Sequence, residues 1–495
     1  MNKKQYMGVD IGTSGCKLIV CDEHGNVIFH TSEEYEEEND NGKRELNPEI
    51  VKEGFFKIIK AAGKACGSWI HAIAITSLGE SVVCLDKNNK CLGNSIITGD
   101  QRGKEELDEI IKKVGSDRIL NVTGIPPNEL YGLPKYRWVN KYTNYIQKAE
   151  KVLFYEEYGG YLLTGKRKVS FSSAARSMAF DIYKRCWDEE LLTLAGITID
   201  QLGTPSATGT IIGVIDKQVA EYTGINPEAV VVVGGHDQIC AAIGSGLSDD
   251  QTSECGMGTC EFTFVPMRKS ELFAKMAEFD FPIIPYIGLE SFLTSLEITT
   301  CGILKKWARK TFLAGIHNLC EAEQKDFYSC IEKKIQDLET KVMVLPQFGS
   351  SGNPDLDMDT VGTITGLTID TTPEEIYKGI LESFALQTRM AFECLGSAGN
   401  KINKIIATGG GAKSEATLQI RADVFNKKIY SLECEDAGTL GCAIIAAASV
   451  GNYENIFDAV SAMVRFKKIY SPNPEKVQYY EKKYQQFKKL YEKMH

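Results

Sequence analysis

Short apolar runs, each stopping on a small or acidic residue, punctuate this chain. Tyr6-Met7-Gly8-Val9 runs into Asp10, a Gly12-Thr13-Ser14-Gly15 turn follows, and Leu18-Ile19-Val20-Cys21 resumes the apolar pattern. Turn residues at 22–26 lead to Val27-Ile28-Phe29. Runs of this length between turn residues predict a β-hairpin and a third strand. An amphipathic stretch after Asn47-Pro48 predicts a helix over 49–66. Apolar runs at 70–76 and 82–86 predict strands on either side of Ser77-Leu78-Gly79-Glu80, and helical spacing recurs over about 103–115 and 135–149. Val230-Val231-Val232-Val233 is wholly apolar and ends on Gly234-Gly235-His236-Asp237, with a small-residue helix predicted over 240–246. Beyond the turn at 248–250, strand-like pieces carry Gly256-Met257-Gly258-Thr259. A helix over 374–396 follows, then a strand over 402–408 that meets Gly409-Gly410-Gly411. A glycine-rich helix over 437–449 and a charged helical tail from 474 complete the pattern. Two halves that each open on hairpin strands and then alternate helices with strands predict a duplicated α/β architecture, with domains at 1–245 and 246–495.

Composition narrows the class. At 495 residues, 43% hydrophobic and 25% charged, the chain reads as a globular protein of two or three domains. A formal net charge of -10 argues against sequence-independent nucleic-acid binding, which needs basic surface. No apolar run approaches the ~20 residues of a membrane span. The first residues lead straight into a strand with no signal-peptide core. Fifteen scattered cysteines without CxxC pairs read as free thiols in a reducing cytosol, so a cytoplasmic location is expected and zinc is not.

Four segments carry candidate chemistry. The Gly12–Gly15 tip offers small hydroxyls and backbone N–H groups suited to phosphate oxygens, Asp10 at the strand end suits a metal, and Lys17 adds positive charge. It is neither a Walker A loop nor a Gly-x-Gly-x-x-Gly turn, and an ordinary hairpin is the competing reading. The 230–233 strand delivers Asp237 to its carboxyl end, where α/β sheets place ligands; capping of the next helix is the alternative. Gly256-Met257-Gly258-Thr259 is a second phosphate-type turn. Gly409-Gly410-Gly411-Ala412-Lys413-Ser414 is a turn open enough for a flat ligand to lie against backbone.

In order and spacing, these segments resemble the FGGY carbohydrate kinases over essentially the whole chain. Asp10-Ile11-Gly12-Thr13-Ser14 and Gly256-Met257-Gly258-Thr259 resemble the two phosphate loops, and Lys135-Tyr136-Arg137-Trp138 resembles the core of one family signature. The segment from Gly362 to Leu367, with Glu375-Ile376 and Ile380-Leu381-Glu382, resembles the other, departing at Gly379, where Ala or Ser is usual. Gly302 with Trp307 resembles the nucleotide-side helix, 409–414 the adenosine motif, and 437–443 the late helix behind it. The resemblance implies two ribonuclease H-like domains of the actin/Hsp70 ATPase kind with a nucleotide cleft between them. It implies Asp237 as general base and Asp10 positioning Mg²⁺. Gly12, Thr13, Ser14, Lys17, Gly258 and Thr259 would hold ATP phosphates, and Gly302, Gly410, Gly411 and Ser414 would border adenosine. Glu80, Gln101, Arg102 and Gln238 would contact the sugar, with Glu80 and Arg102 bridging vicinal hydroxyls. The implied activity is ATP-dependent phosphorylation of a ketose, xylulokinase-like. A polyol kinase of the glycerol or erythritol type is the alternative, and an ATP-driven chaperone or filament protein is the alternative class. The expected partner is a small-molecule sugar or polyol, with no nucleic acid or membrane and with a homodimer left open.

Overall fold

Tyr6, Met7 and Val9 are fully buried along the first strand, Gln5–Ile11, and this strand organises the sheet around it. The strand pairs antiparallel with Gly15–Cys21, which pairs antiparallel with Val27–Glu34, so the expected hairpin and third strand form. On its other side it pairs parallel with Ile70–Ser77, which pairs parallel with Val230–His236, and Ile211–Val214 closes the sheet antiparallel. Helix Pro48–Cys66 starts on Asn47, whose side chain accepts from the Glu49 N–H, with proline in the first turn as its φ favours. The helix buries Val51, Phe55, Ile58 and Ile59 in one cluster with Val9, Leu18 and Val20. The computed structural model describes residues 4–40, 42–267, 279, 281–288, 290–349, 351–354, 360–396, 399 and 401–494.

A second sheet repeats the plan. Thr252–Met257 pairs antiparallel with Glu261–Met267 and parallel with Lys404–Thr408. Lys404–Thr408 pairs parallel with Lys428–Leu432, and Phe466–Tyr470 follows antiparallel. Each sheet thus has a hairpin, then two parallel strands, then an antiparallel edge. That shared pattern is the duplication expected from the sequence. The long helix of this unit, Pro373–Cys394, opens with a reciprocal cap in which the Thr372 and Glu375 side chains each take the other's backbone N–H.

The chain forms two compact units, but not by a single cut near 246. Met1–Ser248, Pro282–Phe292 and Asp436–Val464 make the first; Asp249–Phe281, Leu293–Glu435 and Arg465–His495 make the second. The late helix Ala437–Ser449 therefore belongs with the first sheet, although the sequence suggested a place behind the adenosine motif. Glycines allow this. A Cβ on Gly8 would lie 1.9 Å from the Thr439 carbonyl oxygen, and one on Gly441 would lie 1.9 Å from that of Cys240. Only a bare backbone permits such approach. The helix expected over 135–149 is two, Gly132–Tyr142 and Tyr145–Lys148. Thr143 breaks it: its hydroxyl donates to the Val139 carbonyl at 2.6 Å and accepts from the Tyr145 N–H, competing with the helical ladder. Gly379, the departure from the family signature, sits where a Cβ would come within 3.1 Å of Val342. Among the described residues no helix is long and apolar enough to cross a membrane.

Candidate functional site

The hairpin tip closes as a tight turn, the Gly12 N–H donating to the Gly15 carbonyl at 2.9 Å. The Tyr35 hydroxyl donates to the Gly12 carbonyl at 2.7 Å and the Tyr35 N–H to that of Ser14. The loop is therefore anchored from below, with Thr13 and Ser14 at its tip and Ser14 exposed. Lys17, opposite Asp10 in the register, places Nζ 3.3 Å from Asp10 Oδ2 and 3.0 Å from Asp436 Oδ2. Asp436 escaped sequence reasoning; it caps helix Ala437–Ser449, and an Asp just before a small-residue helix was its available signal. Burial pushes the Asp10 carboxyl up to about 7, against the pull of Lys17 and with further repulsion from Asp237 and Asp436. Its Oδ1 is buried without a hydrogen-bond partner. An orphaned carboxylate oxygen in a surplus of negative charge fits Mg²⁺, which takes one or two carboxylates and otherwise keeps water and phosphate oxygens. Among the described residues there is no cluster of three or more His, Cys, Asp or Glu side chains suited to a metal.

Asp237 opens helix Asp237–Ser245 directly after strand Val230–His236, sooner than the predicted 240. Its Oδ1 accepts the Gln238 N–H at 2.6 Å and faces His236 Nε2 at 3.0 Å, while the side chain stays 37% exposed. Burial alone would raise this carboxyl. The His236 ring, the Gln238 N–H and Arg176 outweigh burial and hold it below its ordinary value, so it is an ionised acceptor with an accessible oxygen. A serine and a threonine hydroxyl fix the backbone beneath: Ser172 Oγ accepts the His236 N–H at 3.0 Å, and Thr76 Oγ1 donates to the Gly235 carbonyl at 2.7 Å. A Cβ on Gly234 would lie 2.0 Å from the Ile75 carbonyl oxygen, so this glycine serves the strand packing.

The expected sugar contacts fare unequally. Glu80 is 1% exposed, and both its oxygens are taken, by the Thr98 hydroxyl at 2.5 Å and by Arg176 at 2.9 Å. Burial would raise its carboxyl, but Arg176 and then Lys135 pull it down to about 2. Arg102 forks onto Asp100, reaches Glu45 at 2.6 Å and lies 4.7 Å over the Trp138 ring. Asp100 is fully buried in that pair. Glu80 and Arg102 are thus each held by protein partners, Glu80 by Thr98 and Arg176 and Arg102 by Asp100 and Glu45. Gln101 is exposed and Gln238 half-buried. The Lys135–Trp138 signature braces the same loops. Lys135 Nζ donates to the Leu130 carbonyl at 3.1 Å, and the Tyr136 hydroxyl donates to the Glu80 carbonyl at 2.6 Å. Sequence reasoning missed Arg176, which lies 96 positions from its partner Glu80. Its signal was faint, a lone charge in the otherwise uncharged stretch from Phe171 to Phe180.

Within the second unit, three separated motifs meet. The Gly302 N–H donates to the Thr259 carbonyl at 2.7 Å, and a Cβ on Gly302 would lie 2.5 Å from the Gly258 carbonyl oxygen. Gly409, at φ +75°, and Gly411 both back onto Met257; their Cβ atoms would lie 2.8 and 2.6 Å from its atoms. Gly410 has nothing within 4 Å of its Cβ position, so its face is open. Thr408, Gly409, Gly410, Ser431, Glu433 and Tyr470 help line a cleft of about 520 Å³. Ser414 caps helix Glu415–Phe425, accepting the Thr417 N–H at 3.1 Å and donating to Thr417 Oγ1 at 2.8 Å. Its hydroxyl is therefore engaged in the cap of that helix.

A doubled α/β plan with one small-residue turn in each unit is the fold of a two-domain carbohydrate kinase. Residues 5–244 match the N-terminal domain and residues 254–450 the C-terminal domain of the FGGY family of carbohydrate kinases. The chain belongs to that family and is an ATP-dependent carbohydrate kinase. It is 24% identical to a xylulose kinase of Bacillus subtilis over 99% of this chain and 97% of that protein. It is 25% identical to a gluconokinase of Bacillus licheniformis over 96% and 93%. The crystal structure of a ligand-bound xylulose kinase from Lactobacillus acidophilus superimposes with a TM-score of 0.86, at 23% identity, covering 98% of this chain and 97% of that one.

Proposed function

We propose that this kinase transfers the γ-phosphate of ATP to a hydroxyl of a neutral ketose, in the manner of a pentulose or hexulose kinase. The observation that carries this reading is Asp237. It is ionised, oriented by His236 and the Gln238 N–H, and presents an oxygen with no hydrogen-bond partner among the described residues. That oxygen accepts the proton of the attacking sugar hydroxyl. Thr13, Ser14 and Lys17 receive phosphate oxygens in the first unit. The Gly258-Thr259 turn does the same in the second unit, where Gly302, Gly410 and Gly411 border the adenosine and Gly410 leaves an open face. Asp10 and Asp436 hold Lys17 in place. Asp10 would help hold Mg²⁺, which when bound would offset charge on the transferring phosphoryl group. Phosphoryl transfer asks little covalent chemistry of the protein; it asks for alignment and charge stabilisation, and these residues supply both.

Homologues named xylulose kinase support a ketose as acceptor. A coupled assay of ADP formation over a panel of pentuloses, hexuloses and polyols tests it. The expected result is ADP release stimulated by a ketose, with phosphosugar formed in equal amount. ADP release that no sugar or polyol stimulates would contradict the proposal.

A further inference from the structure

Arg176 caps the end of the short helix Phe171–Ala175, and its Nε flanks Gly79 together with His236, the neighbour of Asp237. Nε and Nη2 both reach Glu80 Oε2, at 3.3 and 2.9 Å, and the guanidinium carbon lies 4.6 Å over the Tyr131 ring. Exposure is lopsided, 1% for the Glu80 side chain and 22% for that of Arg176. The carboxylate of the pair is buried while Arg176 is partly exposed, and its Nη1 has no hydrogen-bond partner among the described residues. Gly79 makes the space: a Cβ there would lie 2.9 Å from both Arg176 Nε and His236 Nε2. That same His236 nitrogen is the one 3.0 Å from Asp237 Oδ1. Arg176 and Asp237 also perturb each other's charge, the guanidinium helping to keep the carboxyl ionised.

We infer that Arg176 selects the sugar: its open Nη1 edge donates to a hydroxyl neighbouring the one Asp237 deprotonates, and Glu80 cancels its charge so that a neutral ketose or polyol is taken in preference to a sugar acid. This rests on the kinase reading above. A guanidinium already forked onto a buried carboxylate keeps its directional N–H donors but has no net charge left for a substrate carboxylate. Asp10 and Asp436 lie in the same unit, so a sugar acid would add a further negative charge to a site already rich in them.

Arg176→Lys retains the cation that Glu80 needs and removes the planar fork, so it separates recognition from folding. The expected result is a sugar KM raised roughly 10- to 150-fold, with ATP KM changed by less than about twofold and an unaltered melting curve. The double variant Arg176→Gln with Glu80→Gln removes both charges and leaves neither buried alone; the same selective loss is expected. Wild-type enzyme should favour D-xylulose over D-gluconate by at least about tenfold in kcat/KM. A sugar KM unchanged in a normally melting Arg176→Lys enzyme, sugar and ATP KM rising together, or a wild-type preference for gluconate would each overturn the inference. Wild-type enzyme that turns over no ketose or polyol would overturn the proposed ketose acceptor as well, and that result is read before any variant is made.

Discussion

Three charged side chains of the first unit look alike in sequence and differ in what surrounds them. Asp237 keeps an exposed oxygen, Glu80 has none, and Arg102 is held on both sides by carboxylates. Burial and saturation decide which is available to a ligand, and neither is visible in a short motif. Arg102→Ala would take the guanidinium from buried Asp100 and leave it the backbone N–H groups of Arg44 and of residue 102. We expect a loss of roughly 1–3 kcal/mol of stability, read by denaturant unfolding, with sugar and ATP KM in the folded fraction unchanged. A selective rise in sugar KM at native stability would return Arg102 to the sugar site.

Elements whose signal is local were legible from the sequence. The hairpin at 5–21, the capped helix after Asn47 and the small-residue helix at 437–449 follow from apolar runs and turn residues. So did the placement of Asp237 at a strand end. What stayed hidden depends on distant partners. The path of 437–449 back into the first unit is set by glycine contacts at Gly8 and Gly441, and the meeting of Gly302 with Thr259 spans two elements with no shared pattern. Strand Thr252–Met257 hides a further feature. Glu254 within it is buried, takes the Thr408 hydroxyl, and leaves Oε2 without a partner. Burial pushes its carboxyl up to about 8, the Thr408 hydroxyl only partly opposing this. Between the ordinary carboxylate value of about 4.3 and about 8, the folded state holds a proton that the unfolded state has lost. This contribution to stability is therefore full below that window and declines as pH rises through it. Glu254→Gln should flatten that decline in denaturant melts taken from about pH 5 to 8. An identical slope in both proteins would mean that Glu254 is ionised in the fold.

For the whole molecule, phosphate-type turns occur once in each unit, at 12–15 and 256–259, while the proposed sugar residues belong to the first. Two ligands that favour the same state of a protein must each tighten the other. Calorimetry should show a non-hydrolysable ATP analogue with Mg²⁺ tightening sugar binding, and sugar tightening the analogue by the same factor. Equal sugar affinity with and without the analogue would point to a preformed, uncoupled site. The central claim is that Asp237 is the base of an ATP-dependent sugar kinase, and turnover by Asp237→Ala tests it most directly. The account predicts nucleotide affinity close to wild type with kcat lowered roughly 10²- to 10⁴-fold; phosphosugar formation at near wild-type rate would contradict it.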